Sequence, residues 1–264
     1  MAVVRRAAEV GAPTCPEEDV TARLLGALEA ACLAEGFDLF ATTTVGAYDR
    51  LVPEAFRLER PASASLDAAW RVGAASRCLV LVGNTRAAWP RFLDALSDGS
   101  DPTLASHPHP FDTWTARRLT IALAPATAYR HELRFAFSGP PNHFSALHLA
   151  EASGLAFRGP AGLAIHPRFG PWFGLRAALA IDLPWREAAP PTDLCSACPA
   201  PCKPALDKAL AATQTGGHPV RDHWRHWLAV RDACPEGRAH RYSDEQCRWH
   251  YAHDRSVLSP RGRP

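Results

Sequence analysis

One short run, RCLVLVGN at residues 77–84, limits most strongly what this chain can fold into. Its apolar residues follow one another almost without a break, and the run is too short for a typical helix, so it predicts a buried β-strand. The runs FDLFATTTV (37–45) and ELRFAF (132–137) predict two more strands. Because segments with helical periodicity alternate with these strands, the sequence predicts an α/β layered domain around one sheet.

Helical periodicity is clearest between Pro16 and Gly36, where an acidic first turn precedes the apolar repeat and the glycine ends it. The apolar residues at helical spacing in this segment are Val20, Leu24, Leu28 and Ala31. Helices are also predicted at 86–99, at 112–124 with Asp112 as the cap, at 142–153 and at 221–232. The capping box SDEQ at 243–246 predicts the start of a last helix.

The segment PWREAAPPTD, residues 184–193, is rich in proline, which extends neither a helix nor a central strand. It predicts a linker between two parts of the chain. The first, residues 1–183, is the α/β body. The second, residues 194–264, is a cysteine-rich helical tail that packs on the body.

Charge and hydropathy exclude some classes of function. The 264 residues carry a net charge of only +2, which excludes a polybasic nucleic-acid binder. The N-terminal MAVVRRAAEVGAP lacks the apolar core of a secretory signal, and no run of about 18 apolar residues occurs. We therefore expect a cytoplasmic protein without a membrane partner.

Five of the eight cysteines lie in the last third of the sequence: Cys195, Cys198, Cys202, Cys234 and Cys247. In a reducing compartment, thiols at these spacings favour metal or cluster ligation over disulfides. A CxxCxxxC set with a fourth, distant cysteine is typical of a [4Fe-4S] cluster, and the proline after Cys234 is ferredoxin-like. A zinc site, with a histidine such as His250 as a further ligand, and inert thiols are the alternatives.

Two arginines are predicted to be buried and therefore to need an anion. The stretch IHPRFGPWFGLR (165–176) predicts a strand, a turn and a strand, and Arg176 lies among its apolar residues. Arg231 shares a predicted helix face with Trp224, Trp227 and Leu228. The anion could be a carboxylate of the protein or of a ligand. By the same spacing, His148 faces inward with Phe144, Leu147 and Glu151, either as a core residue or as part of a site.

Three long strings occur in order: YDRLVPEAFRL (48–58), IHPRFGPWFGLR (165–176) and HWRHWLAVRDACPEGRAHRYSDEQ (223–246). Together they resemble the cobalamin-processing family of the cblC type. The segment from 151 to 175, followed by the linker and the cysteines, is also similar to epoxyqueuosine reductase, a cobalamin enzyme with two iron-sulfur clusters. Both resemblances imply an α+β core like that of flavin reductases and nitroreductases.

The cblC resemblance implies an apolar crevice for a corrin and reductive removal of the upper axial ligand of cobalamin. The positions that match cobalamin contacts are His148, Leu155, Ala164 and Leu175, and those that match glutathione contacts are Arg176, Arg231 and Arg255. Glutathione or reduced flavin is the implied reductant, and the implied partners are a corrinoid, a cobalamin acceptor protein or a flavin reductase.

Two alternative functions follow from the same resemblances. One is a non-catalytic cobalamin chaperone, and the other is a reductase of the epoxyqueuosine type. The second departs from its pattern here, because Ser138 stands where an aspartate proton donor is expected and half of the two-cluster cysteine set is missing.

Overall fold

A four-stranded antiparallel sheet lies at the centre of the computed structural model, which describes residues 16–58, 76–99, 101–140 and 142–258. In the order in which they pair, its strands are β1 (Leu39–Thr44), β2 (Arg77–Asn84), β6 (Gly174–Pro184) and β3 (His131–Phe135). All the predicted strands are present, and the α+β fold class is confirmed.

Helices cover both faces of this sheet. On one face α1 (Pro16–Ala34), α3 (Ala88–Ser97) and α4 (Pro110–Ala122) pack against residues such as Val80 and Leu179. On the other face α2 (Val45–Asp49) and α5 (Ala146–Ala152) pack against Leu79 and Leu81. Every residue of β2 is buried, which explains its unbroken apolar run, since a strand covered on both faces has no solvent side.

The described chain after α5 adds a small sheet and, after β6, three α-helices. The short strands β4 (Phe157–Arg158) and β5 (Ala164–Ile165) pair with each other. They are followed by α6 (Cys202–Thr213), α7 (Trp224–Asp232) and α8 (Asp244–Cys247), and a π-helical turn runs directly on from α8 over Arg248–Ala252. Helix α6 was not predicted. Its Pro204 lies in the first turn, where proline is tolerated, although the cysteines and prolines before it are typical of a loop.

The predicted helix caps had different outcomes. Ser243 caps α8, because its side chain accepts a hydrogen bond from the Gln246 amide at 3.1 Å, as the capping box predicted. The prediction that Asp112 caps α4 is wrong. That helix begins at Pro110, whose fixed φ suits the first helical position, so Asp112 lies in the first turn and His109 takes the cap position.

Residues 185–193 form no helix or strand and run along the body. The Trp185 indole donates to Thr42 Oγ1 at 3.0 Å, and Glu187 pairs with Arg50 at 2.6 Å. The division into body, linker and tail stays a prediction. Cys15 and the N-terminal segment used to predict the location lie outside the described residues. Within the described ranges, no helix is both long and apolar enough to cross a membrane.

Two glycine turns hold the end of the chain against the body. Gly170 has φ +54° and Gly237 has φ +68°, which is the left-handed region that favours glycine. A Cβ on Gly170 would overlap the backbone of Glu236, and a Cβ on Gly237 would overlap the backbone of Phe169. The contact is therefore backbone to backbone, and it leaves no room for a side chain at either position.

We expect Gly237→Ala to lower the free energy of unfolding by about 2–5 kcal/mol, because left-handed strain adds to overlap with Phe169. Gly162→Ala is the matched control, since Gly162 has φ +71° but has nothing within 4 Å of the added Cβ. Its expected loss is about 1–2 kcal/mol. Urea unfolding of both variants measures the difference, and equal losses would contradict the contact.

Candidate functional site

A β-bulge in β6 turns Arg176 toward the helices of the first sheet face. Val82 pairs with Ala177, but the next residue, Gly83, pairs with Leu175, so Arg176 is the extra residue of the bulge. Ala177 packs on the α1, α3 and α4 side, while Leu175 packs on the opposite face. Strict alternation would have put Leu175 and Ala177 on one face. The bulge therefore puts Arg176 on the first face and Leu175 on the second, which is the reverse of what strict alternation would give.

Arg176 is held by a polar and an aromatic contact. Its Nε donates to Asn84 Oδ1 at 2.5 Å, and its guanidinium carbon lies 4.7 Å from the centre of the Phe111 ring. The guanidinium folds back over Gly174, where any Cβ would overlap it. Burial lowers the pKa of Arg176, while nearby Tyr242 and Asp112 act to raise it. Among the described residues, Arg176 forms no ion pair.

Arg231 lies among aromatic rings. Its guanidinium carbon is 5.8–5.9 Å from the centres of the Trp172, Tyr242 and Tyr251 rings, a distance at which a cation is attracted to a ring face. It too forms no ion pair within the described parts of the chain. The predicted shared face of α7 is wrong for Trp227, which packs toward α6 while Leu228 packs against Trp172. The reason is that α7 lies between two neighbours and buries two faces.

Tyr242 and His250 complete this cluster. The Tyr242 hydroxyl is buried and has no hydrogen bond of normal geometry among the described residues. The His250 ring lies 5.6 Å from the Tyr242 ring and 5.3 Å from the Phe111 ring, centre to centre. Burial, together with Arg176 and Arg231, lowers the pKa of His250 well below its ordinary value, so the ring is neutral at pH 7.

We call Arg176, Arg231, Tyr242 and His250 the arginine crevice. The two arginines and the histidine are surrounded by protein, yet each keeps part of its surface accessible to solvent. Neither arginine forms an ion pair with a described carboxylate, although Asp112 lies near enough to Arg176 to raise its pKa.

Arg255 does not share these contacts. Its guanidinium donates to the backbone carbonyls of Ala105 at 2.5 Å, His107 at 3.0 Å and Pro108 at 3.4 Å. Arg255 therefore fixes the loop that leads into α4.

Three of the four predicted corrin contacts lie in one apolar cluster on the second face of the sheet. Ala164 is buried there, and Leu155 and Leu175 pack against it together with Phe173. We call these four residues the apolar wall. Ala164 lies on β5 and Leu175 on β6, while Phe173 directly precedes β6 and Leu155 lies in the turn between α5 and β4.

His148 lies beside this wall but not as the sequence predicted. Helix α5 begins only at Ala146, and its buried residues are Leu149 and Ala150, while Leu147 is 38% exposed. The predicted inward face is therefore wrong. The His148 ring is half-buried, with Nδ1 at 2.6 Å from Ser145 Oγ and Nε2 at 3.1 Å from the Arg158 guanidinium.

Four of the five tail cysteines line one pocket, which lies between the turn from β4 to β5 and the first residues of α6: Cys195, Cys198, Cys202 and Cys234. The lining is otherwise largely apolar and includes Leu163 and Ile165. We call it the cysteine pocket. Cys247 is elsewhere, packed against Trp172 and Tyr242, with its Sγ 3.8 Å from the Tyr242 carbonyl. His250 also lies away from this pocket, in the arginine crevice.

The loop before α6 is shaped around these thiols. Asp193 Oδ1 accepts from the amides of Cys195 at 2.8 Å and Ser196 at 3.0 Å, and Ala200 has φ +52°, which is unusual for a non-glycine residue. Burial raises the pKa of Cys195, and the nearby thiols of Cys234 and Cys198 raise it further. Thiols this close resist deprotonation without a cation between them.

No group of three or more Cys, His, Asp or Glu side chains in the described ranges is arranged to hold a single metal ion. The four thiols share a pocket without meeting at one point.

The turn between β5 and β6 depends on a neutral histidine. His166 Nδ1 accepts from the amides of Arg168 at 3.0 Å and Phe169 at 3.3 Å, so that nitrogen carries no proton. Burial lowers the pKa of His166 to about 4. The predicted strand, turn and strand are confirmed, but β5 pairs with β4, and only the bridge between His166 and Gly170 closes the turn.

Comparison with known proteins identifies the fold. No family model and no curated protein matches the sequence. Among solved structures, the chain is similar to a Caenorhabditis elegans B12-trafficking protein CblC, a human MMACHC homologue, with a TM-score of 0.64 at 17% identity over 92% of this chain and 97% of that one. It is also similar to epoxyqueuosine reductase from Bacillus subtilis (TM-score 0.50, 15% identity, 86% and 67% covered) and from Streptococcus thermophilus (TM-score 0.51, 12% identity, 88% and 77% covered). The resemblance to both groups is confirmed at the level of the fold.

Sequence reasoning missed three features of the site. Asn84 was included in a strand but not recognised as the partner of Arg176, and Tyr242 was read only as part of a motif. The place of His250 beside the arginines was also missed. The signal that could have found His250 is its spacing: it lies seven residues after Ser243, on the helix that the capping box predicted.

Protonation of His166 should destabilise the fold. The folded-state pKa of His166 lies below the ordinary 6.5. The stability that neutral His166 contributes to the folded state is therefore complete above pH 6.5 and is lost as the pH falls toward about 4. The Asn side-chain oxygen in His166→Asn can accept the same amides but does not titrate. On acidification, we expect the free energy of unfolding to fall less in this variant than in the wild type, by up to about 3 kcal/mol. Urea unfolding at several pH values measures it, and an unchanged pH dependence would contradict this role.

Proposed function

We propose that this protein binds a cobalamin against the apolar wall and removes its upper axial ligand, using glutathione held in the arginine crevice. The observation that carries the proposal is the pair of embedded arginines, neither of which forms an ion pair with a described carboxylate. They occur in a chain whose fold matches a B12-trafficking protein over nearly the whole length of both chains.

The arginine crevice suits glutathione because this tripeptide carries two carboxylates and a thiol. Guanidinium groups bind carboxylates through two parallel hydrogen bonds, which fixes the orientation of the ligand as well as its position. Arg176 still has its two terminal nitrogens available beyond its bond to Asn84. In this proposal, Arg255 acts indirectly. It fixes the loop that precedes Phe111, and the Arg176 guanidinium packs on the Phe111 ring.

The apolar wall suits one face of a corrin, whose flat ring needs apolar neighbours. The bulge in β6 puts Leu175 in this wall and Arg176 in the crevice, so the two proposed binding areas lie on opposite faces of the sheet at the same end of β6. In this proposal the thiol of the bound glutathione reaches the corrin past this end of the strand. In dealkylation the thiolate takes the alkyl group as a thioether, and the electron pair of the broken cobalt–carbon bond stays with the cobalt.

The cysteine pocket is proposed to hold a [4Fe-4S] cluster through Cys195, Cys198, Cys202 and Cys234. When bound, such a cluster would supply single electrons to the cobalamin. Leu163 and Ile165 line this pocket, while Ala164 between them belongs to the apolar wall. Since side chains alternate along a strand, β5 alone separates the two sites.

A non-catalytic chaperone would need the same wall, and turnover separates the two functions. The test adds glutathione to protein loaded with cyanocobalamin or methylcobalamin, without oxygen, and follows the visible spectrum. We expect loss of the upper ligand that depends on both protein and glutathione. A cobalamin spectrum that stays unchanged with every reductant would leave only the chaperone function.

Arg176→Gln and Arg231→Gln should each weaken glutathione binding by about 10- to 100-fold, because a hydrogen bond to a charged group contributes about 1.5–3 kcal/mol. Cobalamin binding should change much less. Arg23→Gln is the control, since Arg23 is exposed on α1. Isothermal titration with each ligand measures both affinities, and an equal loss for the two ligands would argue against a separate thiol site.

The cluster assignment predicts that protein purified without oxygen is brown and contains iron. Cys234→Ser should lose most of the iron, because Cys234 lines the cysteine pocket, whereas Cys247→Ser should keep it. Iron and sulfide analysis with the visible spectrum tests both variants. Colourless protein with one zinc per chain, or iron loss in Cys247→Ser alone, would refute the assignment.

A further inference from the structure

His250 occupies an unusual position for a histidine. Its ring faces the two arginines of the crevice and forms no ion pair with any described carboxylate. The polar contact that it makes is a long one, 3.5 Å between its Nε2 and the Gln246 Nε2. The rest of its surroundings are aromatic: the Trp89 ring at 5.9 Å, the Phe111 ring and the Tyr242 ring.

The groups that face His250 come from four elements. Arg176 lies on β6 and Arg231 on α7, and both oppose protonation of the ring, as does His253 behind it. Tyr242 belongs to the loop before α8. Asp112, on α4, interacts with Arg176 and with His253. The ring is therefore neutral while the crevice holds no anion, and a neutral imidazole has one nitrogen that can accept a proton.

The backbone conformation around His250 is also unusual. His250 lies inside the π-helical turn Arg248–Ala252, and the residue that ends the turn, His253, has φ +53°. Single π-turns within helices are rare and occur frequently at functional sites. Here the turn places Trp249 in the core, while the ring of His250 lies at the crevice.

We propose that His250 is the proton acceptor for the thiol of the glutathione bound by Arg176 and Arg231. This inference rests on the proposed function. The S–H bond breaks, its electron pair stays on sulfur as the thiolate, and the proton forms an N–H bond on the imidazole. No oxidant or reductant is needed for this step. The two carboxylates of the ligand offset the two arginine charges, which makes the imidazolium tolerable, and the accessible edge of the ring returns the proton to water.

The test compares pH profiles of the glutathione-dependent demethylation of methylcobalamin for the whole protein at saturating glutathione. With an internal base, the wild-type rate should change little above pH 7. His250→Gln should depend on the thiolate that forms in solution, so its rate should rise tenfold per pH unit toward the thiol pKa of about 8.5. The variant should be about 30-fold slower at pH 7, the factor that separates this pH from that pKa, and should approach the wild type at high pH.

Two controls separate this role from a structural one. Binding of S-methylglutathione, which has no thiol proton, should be the same for His250→Gln and the wild type. His253→Asn, which keeps a residue type tolerated at positive φ, should keep the wild-type profile.

Parallel pH profiles for wild type and His250→Gln would overturn the inference and leave the proposed function standing, as would loss of S-methylglutathione binding in the variant. A wild-type protein without any glutathione-dependent reaction would overturn both.

Discussion

The bulge at Arg176 is the constraint on which the rest of the site depends. A regular strand would send Arg176 into the apolar layer between the sheet and α5, where an unpaired guanidinium is costly, and would send Leu175 to the other side. One extra residue in β6 removes this conflict. Ala177, Leu179 and Ile181 stay on the core face of the strand. At the end of β6, Arg176 then lies on this face and Leu175 on the other.

Aromatic rings, rather than acids, stabilise the cations of this site. Arg176 lies on Phe111, and Arg231 lies among Trp172, Tyr242 and Tyr251. Rings attract a cation without neutralising it, so the charge stays available for a ligand. Elsewhere in the described chain, arginines such as Arg77, Arg134 and Arg241 pair with carboxylates. The difference separates arginines that are held by ion pairs from arginines that are held by aromatic rings.

The sequence was sufficient for the layers of the fold, because periodicity and burial are local properties. The buried strand β2, the long α1 and the Ser243 cap were all predicted from their own residues. The hydrogen-bond partner of Arg176 was not predicted, since Asn84 and Arg176 are 92 residues apart in the sequence and meet only through the pairing of β2 with β6. The fourth thiol of the cysteine pocket likewise depends on where α7 ends. From sequence spacing alone, Cys234 and Cys247 are equally suitable as the fourth thiol. The structure distinguishes them, because Cys234 lines the cysteine pocket and Cys247 packs against Trp172 and Tyr242.

The contact between Gly170 and Gly237 bears on how the molecule is made. Arg176 comes from the central sheet, but Arg231, Tyr242 and His250 all come from the last 35 residues. While the chain is still being synthesised, β6 with Arg176 is made before the three other residues of the crevice. The close approach of the Gly170 and Gly237 backbones then holds the C-terminal turn next to β6. The four residues can therefore come together only after the C-terminal helices have been made and have docked.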